Sequence, residues 1–178
     1  MLLSSVAERV YWFARYVERV ENTARMILVN NNLLLDMPRQ SALGWGPIVS
    51  ITGLADKFYE NHKEASERNV MRFLVMDSSN QSCMMCSLAN ARENLRTSRA
   101  IFPRAVWETL NDLYTYAKEH KAMALTRRDR YAFMQHVIDS CHLISGKLSA
   151  SMSHDQIYEF VRMGRNVERA DMTSRVID

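Results

Sequence analysis

Residues that interrupt helices are scarce here: five glycines and three prolines in 178 positions, a composition that suits a helical protein and argues against disorder. No segment sustains the alternation of a half-buried strand. Three cysteines, an odd number, make no disulfide framework, and a reducing cytoplasm is the simplest home. No apolar run approaches the ~20 residues that span a bilayer, and Met1-Leu-Leu-Ser-Ser-Val lacks the charged start and cleavage site of a secretory signal, so no membrane association is expected. A formal charge of +3 is too small to demand nucleic acid as a partner. Gly-rich phosphate loops, the Gly-x-Ser-x-Gly elbow and the paired Glu-x-x-His of di-iron bundles are all missing. Neither a cofactor nor a metal is therefore expected.

What the sequence does have is a repeated motif. Arg15-Tyr-Val-Glu-Arg-Val-Glu-Asn-Thr-Ala-Arg25 returns as Arg165-Asn-Val-Glu-Arg-Ala-Asp-Met-Thr-Ser-Arg175, with six of eleven positions identical. Residues three and four apart share a helix face, which gathers Arg15, Glu18, Arg19, Asn22 and Arg25 on one side and Val10, Phe13, Val17, Val20, Ala24 and Ile27 on the other. The polar stripe itself is what has been repeated. Arg15 and Arg19, like Arg165 and Arg169, are like charges at i,i+4, mildly repulsive unless an anion lies between them.

The length fits one domain, residues 1–178, with room for a substantial core. Ser5 and Glu8 read as a capping box opening a helix that runs to about Leu35. Asp36 to Pro47 is the clearest loop, in which Trp45 can cover the core. Two shorter helices are predicted between Ile48 and Met76, meeting near Asn61 to Glu64. Ser78 with Gln81 offers another capping box, followed by a seam of Met84, Leu88, Ala91, Leu95, Ser98 and Phe102. Pro103 fits the first turn of a helix with Val106, Leu110, Leu113, Tyr114 and Ala117 inward. Thr126 to Asp129 starts the next, with Phe133, Val137, Ile138, Cys141, Ile144 and Leu148 inward, and Ser153 to Gln156 is a third capping box before the second motif copy. The last helix stops without a C-terminal signal, and the natural protein is expected to run past Asp178. The fold class is all-α: an up-and-down bundle of about six or seven helices with two related Arg/Glu helices.

Two readings of the stripes are open. In one, they form a buried ion-pair network that fixes helix register. In the other, Arg15, Arg19, Arg165 and Arg169, with Arg92 or Arg96, grip an anionic group while Glu18 or Glu168 serves as base. Cys83-Met-Met-Cys86 has zinc-finger spacing and Cys141-His142 could complete four ligands, but no second Cys-x-x-Cys follows and packed side chains explain both cysteines better. Arg127, Arg128 and Arg130 with Lys118 and Lys121 are the strongest basic cluster, explained by a solvated helix start. His62, His120, His136 and His154 are scattered singly.

The opening Met1 to Arg25, the central Ala91-Arg-Glu-Asn-Leu-Arg96 and Gly164 to Arg175 together resemble the bacterial alpha-E family, in the family's order and from end to end of the chain. The resemblance implies an all-helical domain without an established biochemical function, encoded beside or fused to circularly permuted ATP-grasp ligases and transglutaminase-like proteins. It implies a helical accessory domain of a peptide-ligation or peptide-modification system. Its partner would be an ATP-grasp-type peptide ligase, a transglutaminase-like protein, or their peptide. Carried over by position, the charged motif residues are Arg15, Glu18, Arg19, Glu21, Asn22, Arg25, Arg92, Glu93, Arg96, Arg165, Glu168, Arg169, Asp171 and Arg175, and the expected site is a polar cleft built from them. Met172 stands where the first copy has Asn22. A non-catalytic role for the chain alone is preferred, an enzyme using Glu18 and Glu168 as acid and base being the alternative, and a purely structural bundle a third.

Overall fold

A computed structural model describes residues 3–37 and 44–177. Among them are eight α-helices and no strand: α1 (Ser4–Asp36), α2 (Gly46–Ile51), α3 (Ala55–Asn61), α4 (Glu67–Val75), α5 (Met84–Thr97), α6 (Arg104–His120), α7 (Arg127–Ser151) and α8 (Gln156–Ile177). Short 3-10 turns at Arg99–Ile101 and Lys121–Leu125 flank α6. None of the described helices is long and apolar enough to cross a membrane.

The central element is α1. Its apolar face buries Val10, Phe13, Val17, Val20, Ala24 and Ile27 against α5 and α7, while α8 lies along its polar stripe. Each large aliphatic or aromatic side chain so buried contributes roughly 1.5–3 kcal/mol, which makes this face the main source of cohesion. The inward positions predicted for α5, α6 and α7 are buried too, except Tyr114, which is only partly so. Helix directions follow from the contacts. Glu21 meets His142 and Asn31 meets Arg130, so α7 runs against α1; Thr109 meets Lys147 and Tyr116 meets His136, so α6 runs against α7. The short Met152 to Asp155 join then turns α8 back parallel to α1.

Local chemistry differs from the sequence expectation at several helix starts. α1 begins one residue before Ser5, and its Leu3 cap makes no side-chain bond, so the Ser5/Glu8 box does not form. Residues 77–82 make turns instead of a helix start: Asp77 Oδ1 accepts from the Ser79 amide and Asn80 Oδ1 from the Ser82 amide. α5 is capped by Cys83, whose buried Sγ accepts from the Cys86 amide; burial, then the contact with Cys86, pushes its thiol pKa up to about 12. Asp155, not Ser153, caps α8 by accepting from the Ile157 and Tyr158 amides. Pro103 sits at the cap of α6 and not inside its first turn. Three helices, not two, occupy residues 46–75, because Gly53 adopts φ +69°, a conformation that ends α2 and that a side chain would strain. Of the predicted loop, residues 38–43 lie outside the described residues, while Trp45 is buried as expected.

The predicted basic cluster is divided. Arg127 is exposed, but Arg130 is only 1 % exposed. It donates to the Ala124 carbonyl (2.9 Å), Asn31 Oδ1 (3.0 Å) and Glu67 Oε1 (2.7 Å), with its guanidinium 5.3 Å from the Trp45 ring. A buried guanidinium needs acceptors on every side, and here α1, α4 and the turn before α7 supply them. Although partial burial alone would raise the Glu67 carboxyl, hydrogen bonds from Arg127 and Arg130 hold its pKa below the usual value. A carboxyl depressed in the folded state stabilises at pH above its unfolded pKa, and that stability is lost as pH falls through the folded value. Glu67→Gln is therefore expected to lower stability at pH 7 by about 3 kcal/mol, since it leaves Arg130 buried without its anion. Chemical denaturation at a series of pH values should show the gap between wild type and variant closing as pH falls through the depressed titration of Glu67.

Candidate functional site

The two motif helices exchange partners. Glu168 on α8 accepts from Arg15 Nε (2.5 Å), Arg19 Nε (2.6 Å) and Arg19 Nη2 (3.0 Å) on α1. Glu18 on α1 accepts from Arg165 Nε (3.1 Å) and Arg169 Nε (2.8 Å) on α8. The anion that each arginine pair requires is thus the glutamate of the other copy. Both carboxylates are 2 % exposed, whereas the arginines reach the edge and stack there: Arg15 lies over the Tyr11 and Trp12 rings and Arg19 over Tyr16. Burial alone would lower the Arg15 pKa, but hydrogen bonds to Tyr11 and Glu168 raise it; Glu18 raises that of Arg169. Arg15 and Arg169 are thus held in the charged form more firmly than a free guanidinium.

Close approach of the helices depends on Gly164. A methyl group there would stand 2.4 Å from the Tyr11 carbonyl oxygen and 3.2 Å from the Ala14 side chain, so only glycine lets α8 lie near enough for the crossed pairs. Val161, Gly164 and Glu168 are the buried residues of α8.

One turn further along, Glu21 is buried and its Oε1 accepts from Arg25 Nε (2.9 Å) and meets His142 Nε2 (3.0 Å), while Oε2 has no partner among the described residues. Arg25 Nη2 is also 2.7 Å from His142 Nε2. His142 belongs to this constellation and was not among the expected site residues; its place, next to buried Cys141 on α7, shows only once α7 is docked on α1. Burial and the charges of Glu21 and Glu18 push the Cys141 thiol up, so it is inert as a nucleophile. Asp171 pairs with Arg175 (3.2 Å), whose Nη1 donates to the Thr52 carbonyl (3.1 Å).

Not every expected residue joins. Arg92 turns to α6, donating to Asn111 Oδ1 (2.7 Å) between the Trp107 and Tyr114 rings. Glu93 and Arg96 pair with each other in solvent. Asn22 faces a largely apolar groove of about 410 Å³ beside Met172 and Arg25. A small cleft of about 170 Å³ with mixed walls adjoins the network: Arg19, Thr23, Thr52, Asn80, Ser82, Glu168, Asp171 and Arg175 line it together with Met26, Leu54, Leu74 and Met172. It offers both donors and acceptors, in a space the size of a small polar group. No group of three or more His, Cys, Asp or Glu among the described residues could hold a metal ion.

Replacing one glutamate leaves two guanidinium groups facing each other. Glu168→Gln is expected to cost roughly 3–5 kcal/mol and to lower the melting temperature by on the order of 10 °C. Hydrogen exchange should accelerate in α8 well before α7, since α8 has few buried contacts beyond this pair. Equal protection of α7 and α8 in the variant would contradict the role given to the crossed pairs. Gly164→Ala should destabilise as well, despite alanine's helix propensity.

The family model Alpha-E, described as a predicted alpha-helical domain with a conserved ER motif, matches residues 2–178. No curated protein and no solved structure matches the chain. Glu18-Arg19 and Glu168-Arg169 both present the dipeptide of that description, and both take part in the exchange across α1 and α8. The chain belongs to the Alpha-E family.

Proposed function

We propose that this domain is a non-catalytic accessory of a peptide-ligation or peptide-modification system, binding an ATP-grasp-type ligase, a transglutaminase-like protein or their peptide through the polar cleft beside the crossed pairs. The observation that carries the non-catalytic part is the state of Glu18 and Glu168, each 2 % exposed and held by two arginines. A general acid or base must reach the substrate's proton directly or through one water, and a carboxylate whose oxygens are already bound and shielded does not. The binding part is supported by the cleft, whose Arg175 and Asp171 are each 40 % exposed at the side chain and stand where a bound chain would meet them. The nature of the partner rests on the family resemblance.

The test is reconstitution. The chain is mixed with an ATP-grasp-type ligase and, separately, a transglutaminase-like protein encoded beside it, and complex formation and peptide product are followed. The expected result is association, with Asp171→Asn and Arg175→Gln weakening it by about tenfold, the equivalent of ~1.4 kcal/mol, at an unchanged melting temperature. Turnover of a peptide or amide substrate by the chain alone, abolished by Glu18→Gln in a folded variant, would establish the enzymatic alternative instead.

A further inference from the structure

Two of the three cysteines meet at the start of α5. Inside a helix, residues three apart hold their Cβ atoms about 5–6 Å from each other, whereas a disulfide requires roughly 3.5–4.5 Å, so a bridge across a regular turn is strained. The Cys83/Cys86 pair straddles the helix boundary instead. Cys83 is the N-cap, with extended backbone at φ −60° and ψ 156°, and its Sγ folds back over the first turn to accept from the Cys86 amide at 3.2 Å. The Cys86 thiol is near enough to contribute to the raised pKa of Cys83. The cap conformation thus turns one sulfur toward the other.

Capping alone does not account for sulfur at position 83, because thiol sulfur is a weak acceptor and serine, aspartate or asparagine caps a helix better. Nor does core packing account for it. Cys83 is fully buried, yet it stands outside the apolar core in which Cys141 is packed. The two thiols of the pair also differ in access. Cys86 is partly exposed, on the side of α5 that shows Ala89 and Glu93 to solvent. An incoming disulfide therefore meets Cys86 first, with Cys83 behind it, protonated, as the group that completes the exchange.

We infer that Cys83 and Cys86 are a redox-active dithiol that exchanges with small disulfides of the glutathione class. Cys86 gives up its proton and its thiolate attacks one sulfur of the incoming disulfide, making a mixed disulfide and releasing one thiolate, which takes up that proton. The Cys83 sulfur then attacks that of Cys86, closing the Cys83–Cys86 bridge, while the Cys83 proton goes to the departing thiolate. Two electrons pass from the protein to the small disulfide, which leaves as two thiols, and excess free thiol reverses both steps. This chemistry goes beyond the accessory role proposed above and holds whether or not the cleft binds a partner.

The experiment incubates the full chain with glutathione disulfide, quenches in acid, alkylates the remaining thiols under denaturing conditions and maps them by peptide mass spectrometry. The expected result is loss of both the Cys83 and Cys86 thiols to a bridge between them, with Cys141 still alkylated, and recovery of both on adding excess reduced glutathione. Cys83→Ser, which keeps a side-chain acceptor at the cap, should instead accumulate a glutathione adduct at Cys86. Cys86→Ser should leave Cys83 unmodified, with the fold of each variant checked by circular dichroism. In the wild type, which needs no variant to fold, the inference is overturned by two free thiols, by a lasting adduct on Cys86, by a bridge that reduced glutathione does not reopen, or by one that includes Cys141 or a second chain. An adduct at Cys83 in folded Cys86→Ser, or none at Cys86 in folded Cys83→Ser, overturns it too.

Discussion

Two carboxylates buried between parallel helices, each gripped by the other helix's arginines, set the geometry of this domain. Taking charges out of water is costly, and the cost is offset only where partners are placed well and remaining lone pairs are used. Glu168, with three donors on its two oxygens, meets that condition. A slide of either helix by one turn would leave four arginines and two glutamates mismatched, so the exchange selects one register out of several that apolar packing alone would tolerate. Gly164 makes that register reachable, and α1 carries it to the rest of the bundle through the face it buries against α5 and α7.

Stability and specificity are therefore supplied by different parts of α1. Its apolar face provides the bulk of the cohesion, as the burial of Phe13, Val20 and Ile27 indicates. Its polar face contributes definition: which way α8 lies, how near it comes, and where it parts from α1. A second buried charge, Arg130, works in the same way at the other end of α1, joining α4 and α7 to Asn31 and Glu67. Buried charge at both ends of one long helix pins elements that would otherwise be held by oily contacts alone.

Much of this was legible from residue spacing. Helical periodicity located the core faces of α1, α5, α6 and α7, and the repeated stripe identified α1 and α8 as a pair. The reciprocity was not legible, because i,i+4 arithmetic places Arg15, Glu18 and Arg19 on one face without saying whose glutamate they will hold. His142 was missed because its approach to Glu21 depends on the docking of α7. Arg130 was misread because a run of basic residues at a helix start usually faces water, and nothing local discloses that Glu67, far off in sequence, waits as its acceptor. The three capping boxes fail for different reasons: α1 begins at Ser4 with no side-chain cap, residues 77–82 turn before Cys83 caps α5, and Asp155 caps α8 two residues later than Ser153 would.

Crossed pairing also constrains how such a duplicated segment can diverge. Had each copy closed its own ion pairs, either could have lost a charge with the other unharmed. Here the glutamate of the first copy answers to arginines about 150 positions downstream, so a lost acid in one repeat can be compensated only by a change in its twin. The two halves are bound to drift together.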